Sequence, residues 1–83
     1  MDVQREVVAI VDRVLDMRGR GAALTASSPL LGHVPELDSM AVATLITSLE
    51  ERFGFTIADD EIDGSAFQTI GTLVEFVNGK LAQ

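Results

Sequence analysis

The chain contains a serine at a predicted helix start, in the stretch Pro35-Glu36-Leu37-Asp38-Ser39-Met40. Asp38 is a good N-cap because its carboxylate accepts hydrogen bonds from the first free backbone N–H groups of a helix. Ser39 then takes the first helical position, where those N–H groups and the helix dipole stabilise an anion. The pattern suits a phosphate esterified to Ser39, and a purely structural role for both residues as caps stays open on these residues alone.

The serine lacks the neighbours that hydrolytic chemistry requires. A serine hydrolase needs a general base beside its nucleophile and an acid that orients the base. His33 is the one histidine of the chain, six residues before Ser39 in a predicted loop, and we interpret it as an ordinary loop residue. The sequence also has no glycine-rich phosphate loop. We therefore predict no catalytic residue and a protein that is not an enzyme.

A second acidic motif, Asp59-x-Glu61-x-Asp63-Gly64, half matches a calcium-binding loop. Such a loop needs a bidentate glutamate at its twelfth position, which is Ile70 here. No specific metal site is therefore predicted. Loose binding of divalent cations to the acidic cluster stays open, and a calcium-sensing protein is a remote alternative.

Composition predicts one small domain over residues 1–83, with 47% hydrophobic residues, no Trp or Tyr and four Phe. The core must therefore be mainly aliphatic. The chain has no cysteine, so any thiol chemistry must come from an added group. The charged start of the chain lacks the apolar region of a signal peptide, and no apolar run approaches the roughly 20 residues that span a membrane. We expect a cytoplasmic protein without membrane insertion.

The net charge of −7 is concentrated in residues 36–63, which hold eight acids against Arg52. Residues 1–20 hold four acids and four bases, and residues 64–83 hold Glu75 and Lys80. Such a field repels nucleic acid and anionic membranes and attracts basic protein patches. A solvated acidic face kept for solubility is the alternative interpretation.

Helical periodicity appears in three stretches. Apolar residues at three- and four-residue spacing predict a first helix from about Asp2 to Arg18, with Gly19 as its stop. From Gly19 to Leu37 the sequence predicts a long ordered loop, in which isolated leucines plug against the helices.

The second predicted helix runs from Ser39 to about Phe53 and ends at Gly54. Two faces follow from its spacing. The buried face holds Val42, Leu45, Ile46, Leu49 and Phe53, and the opposite face holds Met40, Ala43, Thr44, Thr47 and Glu51.

The segment Asp59 to Asp63 predicts a short third helix before Gly64. Thr69 caps a last helix whose apolar positions run from Ile70 to Leu81, with fraying expected at Asn78-Gly79. The predicted fold class is all-α: a small bundle of three main helices plus one short helix, with a long loop between the first and second helices.

The motif around Ser39 resembles the acyl carrier protein family, and the resemblance covers nearly the whole chain. The residues that carry it are Leu37-Asp38-Ser39-Met40, followed by Val42, Leu45, Ile46, Leu49, Glu50, Glu51 and Phe53. Met40 replaces the usual leucine with a side chain of similar bulk. Glu36-Leu37 replaces the usual Gly-x before the aspartate.

The resemblance implies that a phosphopantetheinyl transferase attaches 4'-phosphopantetheine from coenzyme A to Ser39. The thiol of the arm then holds acyl groups as thioesters, and acyl-loading and acyl-transferring enzymes with basic docking patches are the further partners. The implied recognition residues are Asp38, Met40, Glu50, Glu51, Asp59, Asp60 and Glu61. The protein is expected to be a monomer.

Carriers for fatty acid synthesis often place further carboxylates on the first turns after the serine, whereas the matching positions here carry Ala41, Thr44 and Thr47. This difference favours a specialised fatty acid, polyketide or peptide pathway over a housekeeping role. The alternative is an unmodified helical interaction module with a carrier-like fold.

Overall fold

Three α-helices supply most of the regular structure in the computed structural model, which describes residues 2–30, 39–58, 60–62 and 64–82. The helices are α1 (Val3–Val14), α2 (Ser39–Phe53) and α3 (Ile70–Leu81), and two 3₁₀ turns lie at Arg20–Ala23 and Gly64–Phe67. α1 packs against both α2 and α3. The predicted small all-α bundle is confirmed. No helix among the described residues has both the length and the apolarity to cross a membrane.

The core is mainly aliphatic, as the composition predicts. Leu45 and Leu49 bring α2 into it, and both are fully buried. Val42, Ile46 and Phe53 pack against the same cluster while partly exposed, so the predicted buried face of α2 is confirmed. Among the residues that the structure describes, the other fully buried hydrophobic side chains are Val7, Val11, Leu30, Ile70, Leu73 and Val77.

α1 ends at Val14, one turn before the predicted end at Arg18. The Asp16 N–H donates to the Arg13 carbonyl at 3.3 Å, and the Met17 N–H donates to the Asp12 carbonyl at 2.9 Å. These two bonds form a Schellman motif in which Asp16, at φ 52°, takes the left-handed position. The prediction assigned that position to Gly19. It was wrong because aspartate also tolerates this conformation and because Met17, the next residue, is buried.

The predicted loop after α1 begins with the 3₁₀ turn Arg20–Ala23, which the periodicity did not reveal. Asp12 of α1 fixes this turn, since its carboxylate accepts from the Gly19 N–H at 3.3 Å and from the Gly21 N–H at 2.7 Å. A β-carbon on Gly21 would lie 2.6 Å from Asp12 Oδ2. Only glycine therefore fits at position 21 without displacing the carboxylate.

The next part of the loop is hydrogen-bonded to the start of α3. The Ala26 carbonyl accepts from the Gly71 N–H at 2.7 Å, and the Ser28 carbonyl accepts from the Ile70 N–H at 3.0 Å. The Leu30 N–H donates to the Gln68 carbonyl at 2.8 Å. Leu30 is fully buried, which confirms its predicted role as a plug, whereas Leu31 and Val34 lie outside the described residues.

The short helix predicted at Asp59 to Asp63 is shifted along the chain, because the observed 3₁₀ turn covers Gly64–Phe67. Burial of Phe67 explains the shift, since the turn places this aromatic residue in the core. Asp59 and Asp63 lie outside the described residues.

α3 begins as predicted, with Thr69 as its N-cap. Thr69 Oγ1 accepts from the Thr72 N–H at 3.1 Å, and Thr72 Oγ1 accepts from the Thr69 N–H at 3.0 Å, which forms a capping box. The predicted fraying at Asn78-Gly79 was wrong, because α3 continues to Leu81. Val77 is fully buried just before this pair, and its packing holds the helix past the glycine.

Candidate functional site

Ser39 is the first residue of α2, a helix of 15 residues. The first N–H groups of such a helix have no partner within it, and the helix dipole adds partial positive charge there. The prediction that Ser39 begins a helix is confirmed. Asp38, the predicted N-cap, lies outside the described residues, as does His33.

The exposed face of α2 begins with Met40, whose exposed fraction is 79%. Ala43, Thr44, Thr47 and Glu51 are also exposed, so the predicted outer face of α2 is confirmed. A side chain this exposed is not buried under a neighbouring segment. An apolar, flexible side chain is thus available one residue after Ser39.

Glu50 does not lie on this open face. It is half-buried, and its Oε2 accepts a hydrogen bond from the Ile57 N–H at 2.7 Å. Glu50, one of the implied recognition residues, is therefore not a freely exposed acid, because its carboxylate caps a backbone amide of the segment that follows α2. Glu51 and Asp60 are exposed, while Asp59 lies outside the described residues.

Glu61 forms an ion pair with Lys80 of α3. Its other oxygen, Oε1, accepts from the Ala58 N–H at 2.9 Å. The hydrogen bond from Lys80 and then the one from Ala58 lower the pKa of Glu61 below its ordinary value of 4.5. Lys80 Nζ also lies 5.9 Å from the centre of the Phe55 ring. Glu61 therefore has a structural role in addition to any contact with a partner.

A second ion pair joins α1 and α2, with Arg52 Nε 2.9 Å from Glu6 Oε2. Arg52 also lies over Phe53, whose ring stacks on Phe55 at 5.9 Å between centroids. Neither ion pair was predicted, since the members of the two pairs are separated by 46 and 19 residues. Helical spacing rules detect only pairs three or four residues apart.

The acidic motif that half matches a calcium-binding loop cannot supply a ligand from its twelfth position in the structure either. Ile70, at the twelfth position, is fully buried in the core, and Glu61 is already bound to Lys80 and Ala58. Within the described parts of the chain, no group of three His, Cys, Asp or Glu residues could hold a metal ion.

The start of α2 fits an attached phosphate group. Ser39 opens a long helix, and α2 contains no charged residue before Glu50. A phosphodiester at this position would therefore face no carboxylate from residues 39–49 of the helix. The amide groups at the helix start favour a negative charge.

Comparison with known proteins supports this interpretation of the site. A family model described as a phosphopantetheine attachment site matches residues 5–77. Aminoacyl carrier protein 1 of Bradyrhizobium diazoefficiens is 30% identical over 80 residues, which cover 96% of this chain and 87% of that protein. The solution NMR structure of a holo acyl carrier protein from Nitrosomonas europaea superposes with a TM-score of 0.92 at 49% identity, over 100% of both chains.

Proposed function

The chain belongs to the phosphopantetheine-attachment family of carrier proteins, and we propose from this that Ser39 is the residue that carries the group. The protein is an acyl carrier and not an enzyme, and its prosthetic group is 4'-phosphopantetheine. When bound, the arm supplies a thiol that holds acyl groups as thioesters, a chemistry that a chain without cysteine lacks.

The observation that supports Ser39 is its position as the first residue of α2. The amides of the first turn favour the phosphate of the arm. Attachment joins the Ser39 hydroxyl oxygen to the β-phosphorus of coenzyme A, while the bond from that phosphorus to adenosine 3',5'-bisphosphate breaks. The serine proton passes to a base of the transferase.

The partners are a phosphopantetheinyl transferase and the enzymes that load and remove acyl groups. The net charge of −7 favours partners with basic docking patches over nucleic acid or anionic membranes. The recognition residues in this proposal are Asp38, Met40, Glu50, Glu51, Asp59, Asp60 and Glu61. We also propose that the protein is a monomer and that it acts in the cytoplasm, where coenzyme A is available.

The pathway in this proposal is a specialised one for a fatty acid, a polyketide or a peptide. Its support is the uncharged start of α2, where the exposed residues are Met40, Ala43, Thr44 and Thr47. An aminoacyl group is a second candidate cargo, favoured by the similarity to a protein named as an aminoacyl carrier.

One experiment tests both attachment and cargo. The protein is purified from its native host, and its intact mass is measured before and after hydroxylamine cleaves thioesters. We expect the mass of one phosphopantetheine plus a cargo that hydroxylamine removes, and peptide mapping should place the group on Ser39. Ser39→Ala should lose both.

Attachment at another residue would contradict the assignment of Ser39. A wild-type protein that stays unmodified in the host, and also with several transferases and coenzyme A, would favour the alternative of an unmodified interaction module. Release of an aminoacyl hydroxamate would select the second candidate cargo.

A further inference from the structure

Two arginines lie in one row on the outer face of α1. Arg5, Ala9 and Arg13 follow one another at four-residue spacing, and all three are exposed. Each step of four residues rises about 6 Å and turns about 40° around the axis, so the two arginine Cα atoms are about 12 Å apart. The side chains that α1 buries lie on the opposite side of the helix and are Val7, Ile10 and Val11.

Neither of these arginine side chains has a partner among the residues that the structure describes. The acids along α1 are bound elsewhere. Asp2 caps the start of α1, and Glu6 pairs with Arg52 of α2. Asp12 binds two backbone amides of the turn after α1 with its two carboxylate oxygens. Each guanidinium group in the row therefore keeps its five N–H donors for another molecule.

A shallow groove runs beside this row, between α1 and the 3₁₀ turn that follows it. Its volume is about 410 Å³, and the residues that line it are Arg5, Val8, Ala9, Asp12, Gly19 and Ala22. Val8, Ala9 and Ala22 supply apolar surface, while the Asp12 carboxylate is already bound to the turn. The Arg5 guanidinium is the remaining charged group, so an apolar side chain beside a carboxylate fits the groove.

Charge and spacing indicate what the row and the groove bind. The net charge of −7 repels nucleic acid and anionic membranes, which carry dense rows of phosphates. Two separate arginines instead match two separate carboxylates, one at each end of the row. An α-helix with acidic residues at eight-residue spacing places them about 12 Å apart, and an apolar residue midway between them faces the groove.

We propose that this part of α1 is a docking site for an acidic helix of a partner protein. The carboxylates of that helix bind Arg5 and Arg13, and its central apolar side chain packs on Val8, Ala9 and Ala22. Such a partner has the opposite charge to the enzymes with basic docking patches, so it is a different protein. We call the row and the groove beside it the arginine groove.

The arginine groove is separate from the proposed attachment residue. Glu6, next to Arg5 in α1, pairs with Arg52, which lies about 20 Å along α2 from Ser39. The Arg5 end of the groove is therefore level with the end of α2 and not with its start. The inference goes beyond the proposed function, and docking here does not require modification of Ser39.

Photo-cross-linking in the native host tests the inference. The photoreactive residue p-benzoylphenylalanine replaces Ala9 in the full chain, and tandem mass spectrometry identifies the peptide that becomes attached to it on irradiation. We expect a partner protein whose attached peptide contains an apolar residue flanked by Asp or Glu. Ser39→Ala should leave the cross-linking yield unchanged, because the docking site does not involve the attached group.

The same acidic peptide, made synthetically, then serves as the probe for affinity, measured by fluorescence anisotropy. An exposed ion pair changes an affinity up to about fivefold, so Arg5→Gln with Arg13→Gln should weaken binding about tenfold. Arg18→Gln is the matched control, since Arg18 is exposed but lies beyond α1 and outside the groove. Arginine and glutamine have similar helix propensities, and circular dichroism melting checks that each variant folds.

Absence of a cross-link from position 9 would overturn the inference, as would an attached peptide without acidic residues or one from a second copy of this chain. Equal affinity of the peptide for the wild type and the double glutamine variant would also overturn it. A lower yield from Ser39→Ala would place the contact at the attachment site and likewise overturn it. All of these outcomes leave the proposed function intact. A chain that cross-links as expected but stays unmodified at Ser39 would overturn the proposed function alone.

Discussion

Glu50 Oε2 accepts a hydrogen bond from the Ile57 N–H at 2.7 Å, which ties the last turn of α2 to the segment that follows the helix. Ile57 is itself buried in the core. The carboxylate therefore satisfies an amide that the packing of Ile57 removes from water. Glu50, which has the pattern of a surface acid in the sequence, thus fixes the segment that follows α2.

We predict that Glu50→Ala lowers the free energy of unfolding by about 1–3 kcal/mol, because it leaves the amide of Ile57 without a partner. Glu51→Ala, on the exposed face, should change it by about 0.5 kcal/mol or less. Urea unfolding followed by circular dichroism measures both. Equal losses in the two variants would show that the Glu50 contact contributes nothing.

Leu49 is fully buried in the middle of α2. Truncation of a buried leucine to alanine costs about 2–5 kcal/mol, which rivals the roughly 5 kcal/mol expected for a domain of this size. We predict that Leu49→Ala is largely unfolded or molten at room temperature by circular dichroism. Thr47→Ala should melt close to the wild type, and equal melting temperatures would contradict the assigned faces.

The ion pair between Glu61 and Lys80 predicts a pH dependence of stability. The pKa of Glu61 is lowered in the folded protein from an ordinary value of 4.5, so the unfolded chain binds the proton more readily than the folded one. The ionised Glu61 side chain therefore stabilises the fold above about pH 4.5. This contribution is lost as the pH falls through the lowered pKa that Glu61 has in the folded protein. We expect Glu61→Gln to be less stable than the wild type near pH 7.

Comparison of the wild type with Glu61→Gln isolates Glu61 from the other titrating acids. The difference between their melting temperatures should shrink as the pH is lowered below 4.5. A difference that stays constant across this range would mean that the charge of Glu61 is not responsible. Lys80→Met, which keeps an unbranched aliphatic side chain near Phe55, should remove most of the effect of Glu61→Gln when the two substitutions are combined.

Charge repulsion among the acids of residues 36–63 predicts that salt stabilises the protein. Eight acids and one base lie there, and added salt screens their repulsion. The melting temperature should rise with sodium chloride, and magnesium or calcium should raise it further at matched ionic strength. A flat or falling curve would show that the ion pairs of Arg52 and Lys80 outweigh the repulsion.

Binding to the phosphopantetheinyl transferase should respond differently to a change of charge and to the loss of an apolar contact. Glu51→Lys should slow association with the transferase at low salt, because long-range charge steers encounter and is screened as salt rises. Met40→Ala should mainly raise the dissociation rate at any salt concentration. Surface plasmon resonance at two salt concentrations measures both rates. An unchanged dissociation rate for Met40→Ala would remove Met40 from the interface.

Periodicity predicted the parts of the fold that depend on a repeating apolar face. The ends of α2, the exposed position of Met40 and the burial of Leu45 and Leu49 were all predicted from spacing and are confirmed. The cap of α3 at Thr69 was also predicted. Each of these features depends on residues within a few positions of one another.

The features that were missed depend on contacts distant in sequence or on unusual backbone conformations. The early end of α1 required Asp16 at positive φ, where glycine is the usual choice. The role of Glu50 depended on Ile57, and that of Glu61 on Lys80 across 19 residues. The proposal that Ser39 carries a group rests on the resemblance, because a serine that only helps to cap a helix has the same local sequence pattern.

The hydrogen bonds from the start of α3 to the Ala26 and Ser28 carbonyls have a consequence for local unfolding. The segment around Pro29, which is bridged to Thr69, cannot leave its place without breaking bonds to the first amides of α3. The amides of Leu30, Ile70 and Gly71 should therefore exchange their hydrogens as one cooperative unit. The segment from Ala26 to Leu30 thus shares the opening equilibrium of α3, the last helix in the sequence.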